Sequence, residues 1–459
     1  MKRHILLKLS LLRSIQEFLP ILVLLPLLIS LLISCNTTEP PGNQTLTIKL
    51  EDVSCTEAWI QLTTNNLQLP TTINILKNNT VAQTFSLSTQ DTLLYIDSLL
   101  PNQTYKFKVV LTNNPQPTSY PQPPTSNEVS VTTMDTTSHN FTWQTFTFGD
   151  AGAGSSTLYD VAIIDENNIW AVGEIYMLDS LGRPDPNAYN AVHWDGTKWE
   201  LKRIYTYSAC SSIDYAPLKS IYAFAENHIV VTSGGGLWWF DGNKWNAECS
   251  INPLLTGAIN KLWGSSSSDL YAVGNNGNIA HWDGRKWTKI ESGTTLNIND
   301  IWGDYNQKTG EWEILAVSGN ILHGWQHERD ILSIKNKAVV KIYSEGVQWP
   351  LSGVWFKPSK KYYVVGSGIY QNQFLGNKWS GEPLDITSYF TRIIRANDIN
   401  DVLVVGAFGE VLHFNGYSWK SFMNQTYMYG TFYSVDIKGN LVVAVGYNSR
   451  QAVIIKGKR

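Results

Sequence analysis

The chain has few charged residues, and those it has are dispersed. Its 459 residues include 35 lysines and arginines and 38 aspartates and glutamates, a formal net charge of −3 at pH 7. Proteins that bind nucleic acid need a concentrated basic surface, because they neutralise phosphates. The lack of basic clusters therefore argues against nucleic acid as a partner.

Long apolar runs are also lacking. The longest, residues 18–33, is interrupted by Pro20 and Pro26 and is shorter than the roughly 20 apolar residues that a membrane-spanning helix needs. Four basic residues precede it. This order is typical of a secretory signal rather than of a transmembrane helix.

Cofactor and nucleotide motifs are missing as well. The one glycine-rich triplet, Gly234-Gly235-Gly236, is not followed by the Gly-Lys-Ser/Thr of a phosphate-binding loop. It occupies the turn position of a repeat that is described next, so we interpret it as a hairpin turn. The sequence predicts no cofactor.

What the chain does contain is a repeat rich in aromatic and β-branched residues. Its clearest copy, residues 261–293, reads KLWGSSSSDLYAVGNNGNIAHWDGRKWTKIESG and predicts four short strands with Asn-, Asp- and Gly-containing turns. The triplet AVG sets the register. Comparable triplets end at Gly173, Ser233, Gly274, Ser318, Gly366, Gly406 and Gly446. Seven copies about 40 to 60 residues apart predict an all-β, seven-bladed propeller.

The seventh copy ends at Arg459 before its fourth strand. Residues 141–148 (FTWQTFTF) precede the first copy and match the missing strand, with Trp143 at the position of the fourth-strand tryptophan. We therefore predict a propeller over residues 141–459 that strand 141–148 closes, which leaves no open edge between the chain ends.

The phrase WG…S…D-YAVG…G-I-HWDG–W resembles a widespread group of bacterial secreted propeller proteins, over about residues 142–459. The resemblance implies a binding or scaffold module and brings no catalytic residues. The sequence lacks the Ser-x-Asp-x-Gly-x-x-Trp box of sialidase-type propellers, since the turn here is Asp-Gly-x-x-Trp.

Residues 45–134 predict a second all-β domain of about seven strands. Leu99 and Tyr105 stand in a Leu-x-Pro-x-x-x-Tyr spacing that resembles fibronectin type III domains. The resemblance implies an immunoglobulin-like sandwich, which serves more often as a spacer than as a binding site. Residues 135–140 are then a linker to the propeller.

The apolar run ends in Leu32-Ile33-Ser34-Cys35 and a polar stretch follows. This resembles the bacterial lipoprotein signal. It implies removal of residues 1–34, a lipid on Cys35 and a linker over residues 35–44. The protein would then be anchored through lipid to the cell envelope, and Asn36 after the cysteine resembles lipoproteins of the outer membrane. The alternative is an uncleaved signal anchor, which also places the folded part outside the cytoplasm.

Three histidines, His193, His281 and His413, occupy one third-strand position in different repeats. Side chains in separate blades cannot converge on one ion, so we predict a packing role and no metal site. Cys210 and Cys249 flank blade two, and a disulfide between them is geometrically possible in an oxidising compartment.

Three long loops of neighbouring blades, residues 174–190, 205–217 and 422–431, carry tyrosines. In a propeller these connections share one face, which suits protein or glycan binding. Alternatively, the tyrosines pack their own loops. The residues are Tyr176, Tyr189, Tyr205, Tyr207, Tyr215, Tyr427 and Tyr429.

These patterns favour a non-enzymatic envelope lipoprotein that binds an envelope protein or a glycan. Two other classes stay open. A propeller-type glycan hydrolase or lyase would need acids or an arginine cluster at the channel mouth, which the repeat does not visibly supply. A purely structural envelope component would need neither.

Overall fold

The computed structural model describes residues 44–112, 123–206, 215–321, 327–381 and 386–459. Within these residues the chain is all-β, as predicted, and forms two compact units. The first comprises residues 44–53, 57–97, 104–112 and 123–132. The second comprises residues 54–56, residues 98–103 and the described residues from 133 to 459. No helix in these ranges is long and apolar enough to cross a bilayer.

The first unit has two antiparallel sheets. Its strands are β1 (Thr45–Val53), β2 (Ala58–Asn65), β3 (Thr71–Lys77), β4 (Thr80–Leu87), β5 (Asp91–Ile96), β6 (Thr104–Leu111) and β7 (Val129–Thr132). The strand orders are β1-β2-β5 and β4-β3-β6-β7. Leu62 of one sheet and Ile73 and Phe107 of the other are fully buried, which places the core between the sheets.

The second unit contains seven four-stranded antiparallel sheets. The first strand of the unit is β8 (Thr142–Phe148). The strands of the first three blades are β9 (Thr157–Asp165), β10 (Asn168–Ile175), β11 (Tyr189–Trp194), β12 (Trp199–Lys202), β13 (Ser220–Ala225), β14 (His228–Ser233), β15 (Gly236–Phe240), β16 (Trp245–Glu248), β17 (Ile259–Ser266), β18 (Asp269–Gly274), β19 (Asn278–Trp282) and β20 (Trp287–Glu291).

Blades four to seven continue the same pattern. Their strands are β21 (Ile298–Asn306), β22 (Glu311–Gly319), β23 (Arg329–Lys335), β24 (Ala338–Ile342), β25 (Leu351–Lys357), β26 (Lys361–Gly366), β27 (Gly368–Asn372), β28 (Ser380–Gly381), β29 (Thr391–Asp398), β30 (Asp401–Gly406), β31 (Val411–Phe414), β32 (Trp419–Ser421), β33 (Gly430–Lys438), β34 (Leu441–Asn448) and β35 (Gln451–Lys458).

The first strands of the blades form a closed ring. Each of β9, β13, β17, β21, β25 and β29 contacts the first strand of the next blade, and β33 contacts β9. β8 is the fourth strand of blade seven and pairs with β35 from Phe148 opposite Ala452 to Thr142 opposite Lys458. This is the arrangement of a β-propeller, with the first strands innermost.

Apolar clusters lie between neighbouring blades. One of them joins Val443 and Val445 of blade seven to Ile169 and Ala171 of blade one. The third-strand histidines each contact the second strand of their own blade, and His413 also contacts His139 and Phe141. His193, His281 and His413 lie 3.0, 2.7 and 2.9 Å from the first side chain of the second strand in their own blade, namely Asn168, Asp269 and Asp401.

The two faces of the propeller differ in the loops they carry. In each blade the inner strand begins, and the antiparallel second strand ends, at the same face. The connections that enter the inner strands and the turns between second and third strands therefore share this face, here called the upper face. The tyrosine-bearing loops lie on it.

Candidate functional site

The inner strands share an irregularity near their upper ends. In six of the seven, the register shifts by one residue there, at Tyr159, Asn260, Asn299, Ser352, Arg392 and Tyr433. Such a bulge leaves one residue without an opposite partner and redirects its side chain. Blade two has no such shift, and Lys219, just before β13, takes the equivalent place.

In the five blades that have it, the glycine of the AVG triplet lies where the bulged inner strand approaches the second strand. A Cβ atom on Gly173, Gly274, Gly366, Gly406 or Gly446 would collide with a backbone carbonyl of the inner strand or of the residue that precedes it. In every case that carbonyl belongs to the residue two positions before the bulge. The repeat therefore keeps glycine where the bulged inner strand approaches the second strand most closely.

The six bulges and Lys219 of blade two place one side chain from each blade around the upper end of the channel. They line a cavity of about 540 Å³, here called the mouth. This volume is typical of small-ligand sites. The seven residues, here called the bulge ring, are Tyr159, Lys219, Asn260, Asn299, Ser352, Arg392 and Tyr433.

One ion pair closes the floor of the mouth. Lys261 Nζ lies 2.5 Å from Asp160 Oδ1. Ser220 Oγ and Ser434 Oγ also donate to this carboxylate, at 2.9 and 2.7 Å. Burial disfavours the ionised form of Asp160, but the Lys261 charge lowers the pKa of this carboxyl below its usual value. Lys261 also lines the cavity below, so the pair lies between the two spaces.

That lower cavity, of about 180 Å³, is lined by Arg395 of a second ion pair and by a buried acid, Asp436. Arg395 donates from Nη1 and Nη2 to the two oxygens of Asp300, at 2.9 and 2.7 Å. Asp436 accepts a hydrogen bond from the backbone N of Ile163 at 2.7 Å, and burial raises the pKa of its carboxyl. These acids connect blades, because each accepts from a neighbouring inner strand.

Two further cations line the mouth. Lys219 Nζ lies 3.8 Å from the centre of the Tyr159 ring, and the Arg392 guanidinium lies 5.1 Å from that of Tyr433. The hydroxyl of Tyr159 donates to Glu174 Oε1 at 2.6 Å, and that of Tyr176 donates to Oε2 at 2.9 Å. Tyr176 is thus held at the edge of the mouth by Glu174.

The other predicted tyrosines form two separate groups. Tyr189 and Tyr215 lie 3.9 and 6.0 Å from the Arg203 guanidinium, and Tyr205 contacts the Tyr215 ring at 5.5 Å. Tyr427 and Tyr429 contact each other at 5.6 Å. Tyr207 lies outside the described residues. Tyr189 and Tyr215 therefore pack against Arg203, whereas Tyr427 and Tyr429 are exposed, and binding at this face stays a prediction.

The second group belongs to an exposed surface of blades six and seven. We call Tyr389, Phe408, Tyr427 and Tyr429 the aromatic patch; their exposed fractions are 39, 44, 54 and 72%. Tyr389 and Phe408 are in contact at 5.1 Å. Phe408 has φ +57°, a left-handed conformation that a bulky residue rarely adopts. The turn therefore holds an exposed phenyl ring at a cost in backbone energy.

The other predicted site residues are only partly described. Cys35 and Cys210 lie outside the described residues. Cys249 is in a disulfide, and its partner also lies outside them. The Cys210–Cys249 pairing stays a prediction. Within the described residues no group of three or more histidine, cysteine, aspartate or glutamate side chains could hold a metal ion.

The bulge ring is the part of the site that sequence reasoning missed. The repeats were aligned on the second strand, whose AVG triplet is uniform, whereas the ring lies on the first strand. Aligning the inner strands at the bulge position would give Tyr, Lys, Asn, Asn, Ser, Arg and Tyr. Variation among five polar or aromatic residue types at one position of an apolar repeat is the available signal.

Comparison with known proteins finds solved structures that are similar at low sequence identity. No family model and no curated protein matches the chain. Similar solved structures include YCF48 from Cyanidioschyzon merolae, at 13% identity and TM-score 0.49 over 68% of this chain and 98% of that one. The WD40 β-propeller domain of Doa1 has 12% identity and TM-score 0.49 over 69% and 97%. The computationally designed Ika8 protein has 12% identity and TM-score 0.42 over 66% and 96%. These similarities carry no argument about function.

Proposed function

We propose that the protein is a non-enzymatic binding module of the bacterial cell envelope, which engages its ligand through the upper face of the propeller. One observation carries the proposal. Each of the seven blades contributes one side chain to a single open cavity, and an exposed aromatic patch lies on the same face. Aromatic anchors on a rigid scaffold are a common basis of recognition.

The carboxylate in the mouth favours binding over catalysis. Asp160 accepts from Lys261, from two serine hydroxyls and from the backbone N of Ile221 at 3.0 Å. A general acid or base needs a proton that it can exchange with a substrate. An aspartate held ionised by a lysine and bonded on both oxygens is fixed in a structural role.

We further propose that the first unit is a fibronectin type III-like spacer between the propeller and a lipid on Cys35. The orders β1-β2-β5 and β4-β3-β6-β7 support an immunoglobulin-like sandwich, although the fourth strand pairs with the third rather than with the fifth, as it would in the constant type. The signal-like residues 1–34, which end in Leu32-Ile33-Ser34 before Cys35, support the lipid anchor, and Asn36 after the cysteine supports the outer membrane as its site.

 

The anchor has a direct test. Replacing Cys35 by serine removes the thiol through which the lipid would be attached, so we expect the variant to leave the membrane fraction. The measurement is the distribution of the protein between membrane and soluble fractions after cell lysis. Cys55→Ser is the control and should stay with the membrane. If Cys35→Ser also stays there, the uncleaved signal anchor is the correct interpretation.

The binding surface is tested by a pull-down from envelope extract with residues 36–459. Replacing Tyr427 and Tyr429 by alanine removes the two most exposed rings of the aromatic patch. We expect capture of the partner to fall at least about tenfold, as for the loss of central aromatic anchors.

The control is Tyr417→Ala. This tyrosine is 55% exposed and lies between β31 and β32, on the opposite face. Equal capture by all three proteins would move the site away from the patch. A partner lost equally in both variants would indicate general damage, and no partner at all would favour the structural alternative.

A further inference from the structure

The bulge ring is divided chemically into two arcs. Blades two, one, seven and six contribute a cation, two aromatic rings and a second cation, in the order Lys219, Tyr159, Tyr433 and Arg392. The two tyrosine rings are 5.6 Å apart, and each cation lies by one of them. The remaining blades contribute Asn260, Asn299 and Ser352, which are neutral hydrogen-bonding groups.

Neither cation of the first arc is in an ion pair with a described carboxylate. Among the described residues, no carboxylate oxygen lies within 4 Å of Lys219 Nζ or of the Arg392 guanidinium, and neither group is hydrogen-bonded to an acid. Burial lowers the pKa of Lys219 to about 8, and repulsion from Arg392 adds to the effect. Burial also lowers the pKa of Arg392. An anion between them would relieve both costs.

In another open cavity of the protein, two lysines do have carboxylate partners. A groove of about 570 Å³ between blades three and four contains Lys289 and Lys341. Lys289 Nζ lies 2.9 Å from Glu291, and Lys341 Nζ lies 2.9 Å from Asp330. Lys289 and Lys341 are thus already paired, whereas Lys219 and Arg392 are not paired with any described carboxylate.

The second arc presents acceptors. The Asn299 amide donates its Nδ2 hydrogens to the carbonyls of Gly319 and Leu351, at 2.9 and 2.7 Å. The Asn260 amide donates to the carbonyl of Ile298 at 3.0 Å and to Asn275 Oδ1 at 2.8 Å. The donors of both amides are thus used, which leaves their oxygens to accept from a ligand. A ligand that matches this arc carries hydroxyl groups.

We propose that the mouth binds a uronate-bearing oligosaccharide, with its carboxylate at Lys219 and Arg392 and its hydroxyls at Asn260 and Asn299. A sugar acid carries both a carboxylate, which suits the cations of the first arc, and hydroxyl groups, which can donate to the amide oxygens of the second arc. Its apolar ring face suits Tyr159 and Tyr433. The inference rests on the proposed binding function and names its ligand class.

The test is isothermal titration of residues 36–459 with hexagalacturonate and hexamannuronate. We expect at least one to bind, and its fully methyl-esterified form to bind at least about tenfold more weakly, because the ester lacks the charge. Lys219→Ala and Arg392→Gln should each weaken binding by about tenfold to a hundredfold. Lys289→Ala is the control and should bind as the unmodified chain does, and thermal melting checks the fold of each variant.

Several outcomes would overturn the inference. These are no binding of either acid, equal binding of the methyl ester, or equal binding of hexaglutamate, which carries carboxylates without sugar hydroxyls. A partner captured in the pull-down through Tyr427 and Tyr429 but unaffected by Lys219→Ala and Arg392→Gln would leave the proposed function standing and refute only the sugar-acid site.

Binding should also weaken at alkaline pH. Lys219 faces Arg392, Glu174, Asp160 and the Tyr159 hydroxyl, and with a pKa of about 8 it loses its charge as the pH rises from 7 to 9. We expect affinity to fall roughly tenfold over this range. Lys219→Arg keeps its charge at these pH values and should remove most of the dependence. An unchanged pH profile in that variant would contradict the role of Lys219.

Discussion

Deleting residues 141–148 is expected to abolish cooperative unfolding of the propeller. β8 supplies the fourth strand of blade seven and pairs with β35 over seven positions. Without it, the hydrogen-bonding edge of β35 would be open, and no strand from the start of the propeller would complete its last blade. Phe141 and Trp143 also pack into the apolar cluster between blades six and seven. The free energy lost with this pairing and burial is comparable with the whole free energy of unfolding of a domain, about 5–15 kcal/mol.

The measurement is circular dichroism during thermal unfolding of residues 36–459. A relocated strand provides the control, because Lys458 at the end of β35 is opposite Thr142 at the start of β8. Residues 141–148 are moved behind Arg459 through a short glycine-serine turn, and a flexible linker long enough to span β8 joins Asn140 to Gly149. This rearranged chain should regain the transition. A deletion that melts like the unmodified chain would show that ring closure does not stabilise the propeller.

The second large effect is expected for Asp300→Ala. The Asp300 carboxylate is fully buried and accepts from Arg395 and from the backbone N of Val354, the latter at 2.9 Å. Burial alone would lower the pKa of Arg395, but the Asp300 charge raises it, so the guanidinium stays charged inside the channel. Removing only the carboxylate leaves that charge unpaired, which costs about 3–5 kcal/mol.

Urea unfolding would show this loss as a lower midpoint. Glu311→Ala is the control, because the Glu311–Lys335 pair is exposed and should contribute less than about 1 kcal/mol. The double variant Asp300→Leu with Arg395→Met removes both charges and should be more stable than Asp300→Ala. If the double variant is the less stable of the two, the pair itself, rather than the unpaired charge, provides the stability.

The repeat made the propeller predictable from sequence. The strands expected in residues 261–293 are present as β17 to β20, with Asn276 and Gly277 at positive φ in the turn. The Asp-Gly turn after β19 is also present, and Asp283 accepts from the backbone N of Arg285 and Lys286. Such local signals are strong because turn chemistry and strand alternation depend only on neighbouring residues.

The mouth could not be predicted in the same way. A bulge adds one residue to a strand, and alternation of period two does not reveal it. Lys219 and Arg392 are 173 positions apart and belong to blades two and six, so their convergence depends on the closed ring. The tyrosine-bearing loops could be found from the sequence because loop length and composition are local features. The division of their tyrosines into separate groups depends on contacts with Arg203 and Glu174, which the sequence does not reveal.

The positions of the bulge ring differ in how tightly the fold constrains them. The Asn260 and Asn299 amides donate to backbone carbonyls of neighbouring strands, and the Tyr159 hydroxyl donates to Glu174. Lys219 lines the open cavity and contacts the Tyr159 ring without an ion pair to a described carboxylate. Under the proposed function, the ligand preference of the mouth can therefore change at a position such as Lys219 at little cost to folding, while the asparagine positions stay tied to the contacts between blades.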